Sequence, residues 1–446
     1  MASSRKSSLA ESVAERLAPL LPPHSNILIG LSGGMDSVVL LHLLQSIAPR
    51  FQWRLSAIHV HHGISLNADA WAEYCIKLCA RYDIPLQVER VDITSLRDEH
   101  GIEAAARKLR HQAFLNQACD FVALAHHAND QAETVLLQLL RGAGVKGVSA
   151  MPLLKTSNDQ MHVTVRPLLD ASRQQLHHYA TQNSLSWIED ESNADVRYPR
   201  NFLRHRILPE LETRFPQYQE MLSRSSQHFA EASQLMDELA QLDASQAFDG
   251  ETLDVSALRS LSHARAKNLL RYFLHLRGAP MPQSVQIADM LRQLCEARDD
   301  AAMCVVFGEW ELRRYQGRVY AMRALNDFDP AIRLAWAGES ELQWPALQAN
   351  LVFSDAVGAG IGLDKLKGER ISLRLRSGGE SLRLHSKGAS RSLKNILQEH
   401  KVPPWQRERL PLLYCGDALV AIIGVAIHAD YQAKESEKSL LVSWEK

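Results

Sequence analysis

Ile27-Leu28-Ile29-Gly30-Leu31-Ser32-Gly33-Gly34-Met35-Asp36-Ser37 is the stretch on which the fold turns. Its first residues form a short apolar run, long enough for a buried strand. Two adjacent glycines follow, and Val38-Val39-Leu40-Leu41-His42-Leu43-Leu44 continues as an apolar helix. Strand, glycine loop and helix in that order make an anion site. The first N–H groups of a helix lack intrahelical partners, and the helix dipole adds partial positive charge there. Gly33 and Gly34 permit close backbone approach and a positive φ. Ser32 and Ser37 offer hydroxyl donors. Asp36 would repel a phosphate unless it holds a cation that the phosphate also touches.

The loop lacks the lysine and spacing of a Walker A loop, and it is not Gly-x-Gly-x-x-Gly. Ser32-Gly33-Gly34-Met35-Asp36-Ser37 resembles instead the pyrophosphate (PP) loop of the N-type ATP pyrophosphatases. That resemblance implies ATP held along Ser32–Ser37, cleavage between the α and β phosphates, and adenylation of an oxygen.

At 446 residues the chain is long enough for roughly three domains and several cores. Charge is balanced, with 50 basic against 51 acidic residues, so its distribution matters rather than its sum. Six cysteines without a Cys-x-x-Cys pair argue for a reducing compartment, no disulfides, and neither a zinc knuckle nor an iron–sulfur site. The longest apolar run, near Leu419 to Ile427, is far short of the ~20 residues of a membrane span. A cytoplasmic protein without a membrane partner is expected.

Outward from the loop, Leu55 to Val60, Leu86 to Val91 and Phe121 to Ala125 have the composition of strands. Helical stretches fall between them, near 68–82 and 103–118, and the helix Gln131 to Leu140 follows. This alternation predicts βαβ units and a mostly parallel sheet, whose ligands bind beyond the carboxyl ends of the strands. The Ser32 loop, His61-His62-Gly63 and His126 to Asp130 all fall at that edge. Asp130 and Glu133 share one helix face, as first-turn dipole partners or as part of a magnesium site with Asp36 and ATP phosphates. Adjacent His126 and His127 point apart on an extended chain, which disfavours zinc. Arg107 or Arg110 could stabilise charge on the α-phosphate, and Glu103 lies four residues before Arg107. Further on, Arg197, Arg200, Arg204 and Arg206 crowd ten positions, suited to phosphates, with Tyr198 or Phe202 available to stack on a base.

Several groups of residues together resemble bacterial tRNA(Ile)-lysidine synthetases. They are the PP-loop, His59-Val60-His61-His62-Gly63, and Gly101-Ile102-Glu103-Ala104 with Arg107 and Arg110. Ala125-His126-His127 with Asp130-Gln131 and Glu133-Thr134 also match, as do Asp190-Glu191-Ser192-Asn193 with Tyr198 and Arg200-Asn201-Phe202-Leu203-Arg204. The last group is the most specific. Asn129 stands where the family usually has a first aspartate. The resemblance implies an α/β PP-loop domain with a Rossmann-like parallel sheet over 1–215, a linker helix over 216–240, and a mainly helical substrate-recognition domain over 241–330. A β-rich basic C-terminal domain over 350–446 follows. Residues 210–240 are expected as one long helix. In 371–410, nine Lys or Arg against three Glu leave +6, an electrostatic footprint for nucleic acid. Arg376, Arg383, Lys387, Lys394 and Arg407 are the candidate tRNA contacts there, and Val402-Pro403-Pro404-Trp405-Gln406-Arg407 also matches the family.

The implied substrate is the wobble cytidine of the CAU anticodon of tRNA(Ile), with L-lysine, ATP and Mg2+. Implied catalytic residues are Asp36, Arg107, Asp130, Glu133 and Arg204, with Asp36 and Asp130 on the metal. Cytosine O2 attacks the α-phosphate, pyrophosphate leaves, and the lysine ε-amine then displaces AMP from C2. Asp130, Glu133 and His126 are all open as the group that deprotonates lysine, and a homodimer is left open. A PP-loop tRNA thiolase is disfavoured because the cysteines are expected off the site. An ammonia-using small-molecule synthetase would not need the basic C-terminal domain.

Overall fold

The computed structural model describes residues 8–63, 65–92, 102–156, 162–298, 303–347 and 349–445. Gly101 and the side chains of Glu103, Ser192 and Asn193 lie outside the described parts. The chain forms two compact units, Met1–Leu239 and Ala240–Lys446.

The first unit is built on six strands: β1 (Asn26–Gly30), β2 (Arg54–His61), β3 (Leu86–Arg90), β4 (Phe121–Ala123), β5 (Leu154–Thr156) and β6 (Val163–Val165). Their order is β3-β2-β1-β4-β6-β5, all parallel except β5 against β6. Side chains alternate along central β1, and both faces are covered, which is why the strand is apolar throughout. Ile27 and Ile29 join a core with helices α1 (Leu9–Leu17), α2 (Met35–Phe51) and α3 (Ala68–Arg81), through Leu17, Val39, Leu43 and Leu78. Leu28 points the other way, into Ile58, Val122 and the Ala113-Phe114 end of helix α4 (Ile102–Leu115). The carboxyl ends of β1, β2 and β4 therefore deliver the PP-loop, His62-Gly63 and the start of α5 (Ala128–Leu140) to one edge.

The expected single helix over 210–240 is two helices, Leu208–Arg214 and Tyr218–Ala247. Pro216 breaks it: it has no N–H to donate and disfavours helical backbone at the residue before it. Before the break, Pro199–Phe202, Leu203–Ile207 and Leu208–Arg214 run on without interruption, the middle segment as a π-turn.

In the second unit, helices His263–Leu276 and Ser284–Glu296 cover a sheet of β7 (Phe248–Asp249), β8 (Thr252–Asp254), β9 (Cys304–Phe307), β10 (Trp310–Tyr315) and β11 (Arg318–Arg323). Beyond it two antiparallel sheets share one core, in which Leu351 of one meets Leu373 and Leu413 of the other. The strand Lys438–Glu445 pairs with Ala349–Val357 along its length. The expected strand Ala418 to Ile427 is two, Ala418–Ile422 and Ala426–Ile427, reversed at Gly424 with φ 76°. No described helix is long and apolar enough to cross a membrane. All six cysteines are free thiols.

Candidate active site

The PP-loop closes on itself through its serines. Ser37 Oγ donates to the Gly34 carbonyl at 2.9 Å and accepts from the Gly33 N–H at 3.2 Å, while Ser32 Oγ lies 3.1 Å from it. Ser37 is buried, so its hydroxyl shapes the loop rather than standing ready as a free donor. The glycines also differ. Gly33 has φ +87°, and a Cβ there would meet Ile188 Cδ1 at 2.7 Å and Cys75 Sγ at 3.2 Å. Gly34 has φ −72° and is the N-cap of α2 with no side-chain cap, so the first N–H groups of α2 are left for a ligand. Ile188, which the sequence did not single out, donates its N–H to the Gly33 carbonyl at 3.0 Å. Its only signal was the Trp187-Ile188 pair ahead of the acidic cluster. Asn67 Nδ2 donates to Glu191 Oε1 at 3.1 Å, tying that cluster to the start of α3.

Cys75 lies directly behind the loop, so one cysteine is nearer the site than expected. It is fully buried, and burial pushes its thiol up to about 12. It is a neutral packing group, not a nucleophile. His59 donates from Nδ1 to the Leu31 carbonyl at 2.9 Å and holds the residue that leads into the loop.

His127 Nε2 lies 3.5 Å from Asp36 Oδ2 and 3.5 Å from Asp130 Oδ2, so the two carboxylates flank one imidazole. Burial lowers the His127 pKa, but Asp36, Asp130 and Glu133 outweigh it and the net shift is upward. Burial likewise works against ionising Asp130, yet His127, His126 and Arg200 hold its carboxyl below the usual value. Asp130 Oδ2 also accepts from the His127 N–H at 3.1 Å, so the helix-start role and the site role coincide in one residue. Asp36 Oδ1 is buried with no hydrogen-bond partner, an acceptor shaped for a cation. Among the described residues no group of three or more His, Cys, Asp or Glu side chains could hold a metal. Magnesium needs no such group, since it takes few carboxylates and completes its shell with phosphate and water.

Glu133 is fully buried and anchors the arginine segment. Arg204 donates to its Oε1 at 2.7 Å and Oε2 at 3.0 Å, and to Asp130 Oδ1 at 3.3 Å. Arg200 donates to Glu133 Oε2 at 3.1 Å and Thr134 Oγ at 2.9 Å. Arg204 lies in the π-turn. Arg197 instead forks onto Asp195, and Arg206 is exposed. Burial pushes His126 down to about 4, with Asp130 opposing, so it is neutral. His62 is also about 4, from burial and then Arg110. Arg107 is exposed on α4, and its charge acts on His126 and on buried Arg166. Asn129 Oδ1 accepts from the Arg173 N–H at 3.0 Å, an acceptor role that needs no carboxylate.

Residues 5–211 match the model of the PP-loop domain, 253–320 that of the TilS substrate binding domain, and 371–444 that of the TilS substrate C-terminal domain. A tRNA(Ile)-lysidine synthase of Nitrosomonas europaea is 42% identical over 95% of this chain and 92% of its own length. One from Azoarcus sp. is 40% identical over 98% and 95%. A third, from Coxiella burnetii, is 38% identical over 94% and 92%. The chain belongs to the tRNA(Ile)-lysidine synthase family. It is thus a ligase of the PP-loop ATP-using class, and its α/β sheet, helical region and β-rich C-terminal part are those of the family.

In this tRNA(Ile)-lysidine synthase family member the C-terminal basic residues divide into two groups. Arg383 pairs with Asp430, and Arg391 with Glu399. Arg374 Nη1 lies 3.8 Å from Asp417, and Arg376 Nε 3.7 Å from Glu380. Asp417 and Asp430 fall outside the 371–410 window, so the local +6 overstates the free charge. Arg407 is engaged internally, donating to the Val402 carbonyl and Tyr315 hydroxyl, each at 2.8 Å. Lys387 and Lys394 are exposed and have no ion pair among the described residues.

Proposed function

We propose that this protein ligates L-lysine to C2 of the wobble cytidine in the CAU anticodon of tRNA(Ile), consuming ATP and releasing AMP and pyrophosphate. The observation that carries the reading is the joined network Asp36–His127–Asp130–Arg204–Glu133 at the mouth of a PP-loop, in a chain that matches its relatives nearly end to end. The α2 N-terminus receives the ATP phosphates. Asp36, through its unpartnered Oδ1, and Asp130 would hold magnesium, which when bound neutralises charge on the leaving pyrophosphate. Cytosine O2 attacks the α-phosphorus and pyrophosphate departs. The neutral lysine ε-amine then attacks C2, AMP leaves with its bonding pair, and the amine's proton goes to base or water. Of the three groups open for that proton, Glu133 is occupied on both oxygens by Arg200 and Arg204. Asp130 is engaged on both oxygens as well, by Arg204 and the His127 N–H, so neutral His126 remains. Arg204 and Arg107 are assigned to charge on the α-phosphate. Lys387 and Lys394 are assigned to tRNA phosphates. A cytoplasmic location goes with this reading, since its substrates are tRNA and ATP.

The test is incubation with ATP, labelled lysine and total tRNA. Label should enter tRNA only with ATP present, with one AMP and one pyrophosphate per lysine. ATP turnover without label in tRNA would overturn the assignment.

A further inference from the structure

Val402-Pro403-Pro404-Trp405-Gln406-Arg407 takes no part in the ATP site, yet its contacts are among the most specific in the second unit. Arg313, Tyr315 and Tyr320 share one face of the β10–β11 hairpin, since Arg313 and Tyr315 are two apart and Tyr320 is directly opposite Arg313. The other face belongs to the core through Leu312, Val319 and Ala321. Trp405 covers the first face. Its ring meets Tyr320 edge-on at 5.3 Å and Tyr315 at 6.2 Å, and the Arg313 guanidinium lies over it at 5.2 Å. Arg313 is aimed by buried Glu311, which it grips through Nε at 2.8 Å and Nη2 at 3.0 Å. Arg407 stacks over Tyr315 at 5.7 Å while donating to its hydroxyl. Arg409 reaches the Asn326 carbonyl and lies over Phe328 at 4.4 Å, holding the connection itself. Pro403 and Pro404 stiffen the approach, with Pro404 opening the short helix that carries Trp405.

We propose that Trp405 is a positioning residue: seated on Arg313, Tyr315 and Tyr320, it locks the β-rich C-terminal domain to the β7–β11 domain so that both meet tRNA as one rigid body. Aromatic area and the cation–π contact supply the lock. The indole N–H is buried without a partner, so it contributes no hydrogen bond. The consequence for tRNA rests on the proposed lysine-ligating function; the docking does not. A domain held rigidly offers its phosphate contacts at high effective concentration, and a loosely tethered one loses that advantage.

The experiment compares full-length wild type, Trp405→Ala and Trp405→Phe. Trp405→Ala should be cut faster by protease within residues 324–332. It should raise KM for whole tRNA about tenfold, leave kcat at saturating tRNA unchanged, and leave kinetics on an anticodon stem-loop unchanged. Trp405→Phe should restore most of both effects. A wild-type KM for whole tRNA, or an equal loss on the stem-loop, overturns the proposal. Should Trp405→Ala fail to fold, Tyr315→Phe removes only the hydroxyl that receives Arg407; it should show the same pattern more weakly, and wild-type protease resistance and KM there overturn the lock. If wild type itself transfers no lysine, the substrate reading fails, while the protease comparison still tests the docking.

Discussion

Asp36 and Glu133 are both carboxylates near the PP-loop, and their surroundings give them opposite tasks. Asp36 keeps a buried oxygen with no hydrogen-bond partner, whereas Glu133 has both oxygens taken by arginines. Asp36→Asn should therefore abolish pyrophosphate release in the presence of tRNA while tRNA affinity stays near wild type; near-normal ATP consumption would exclude the cation role. Glu133→Gln removes the charge that two arginines share, each with a quarter of its side chain exposed. Breaking a fully buried pair costs about 3–5 kcal/mol, and partial exposure brings this to about 2–3 kcal/mol. The urea midpoint of the protein should fall accordingly, and an unchanged midpoint would mean the arginines re-pair with water. Arg204→Ala should lower turnover even at saturating tRNA. An effect on affinity alone would make Arg204 a remote phosphate contact.

At the scale of the element, the PP-loop is a turn whose two glycines look equivalent in one dimension and are not in three. A side chain at Gly33 is strained by its φ of +87° and collides with Ile188 and Cys75; residues forced into such backbone cost about 1–3 kcal/mol. At Gly34 a Cβ meets only Ser32 Oγ at 3.5 Å and the Ile188 carbonyl oxygen at 3.9 Å, ordinary contacts. Gly33→Ala should lower thermal stability and weaken ATP binding, while Gly34→Ala should leave the melting temperature within about a degree or two of wild type. Equal destabilisation by the two variants would contradict the geometry. The arginine segment is the second element of this kind: Arg200 and Arg204, four apart across the junction of Pro199–Phe202 and Leu203–Ile207, reach Glu133, and Arg197 and Arg206 do not.

For the whole molecule, charge matters by where it is left unpaired. Of the basic residues between 371 and 410, Arg374, Arg376, Arg383 and Arg391 have acidic neighbours and Arg407 is engaged internally. Lys387 and Lys394 are exposed. Replacing both by alanine should reduce the slope of log K for tRNA binding against log salt by about 1 for each phosphate that is no longer neutralised. Turnover on an anticodon stem-loop should not change. An unaltered slope would return these lysines to the role of a solvated surface.

By itself the sequence determined the sheet and its anion-binding edge. The unbroken apolar run of β1, the glycine turn and the apolar helix after it are local patterns, and local patterns survive in one dimension. The cation role proposed for Asp36 starts from the same local pattern, since a carboxylate in a phosphate loop has few other uses. Tertiary structure alone decided that Glu133, on another helix, is what Arg200 and Arg204 face, although their four-residue spacing already sets them on one side. It also decided that Ile188 and Cys75 wall Gly33, that Asp417 and Asp430 sit close to a charge run that ends before them, and that Trp405 belongs to an interface. Each of those depends on residues far apart in the chain, whose pairing is set by packing and by where charge can be compensated.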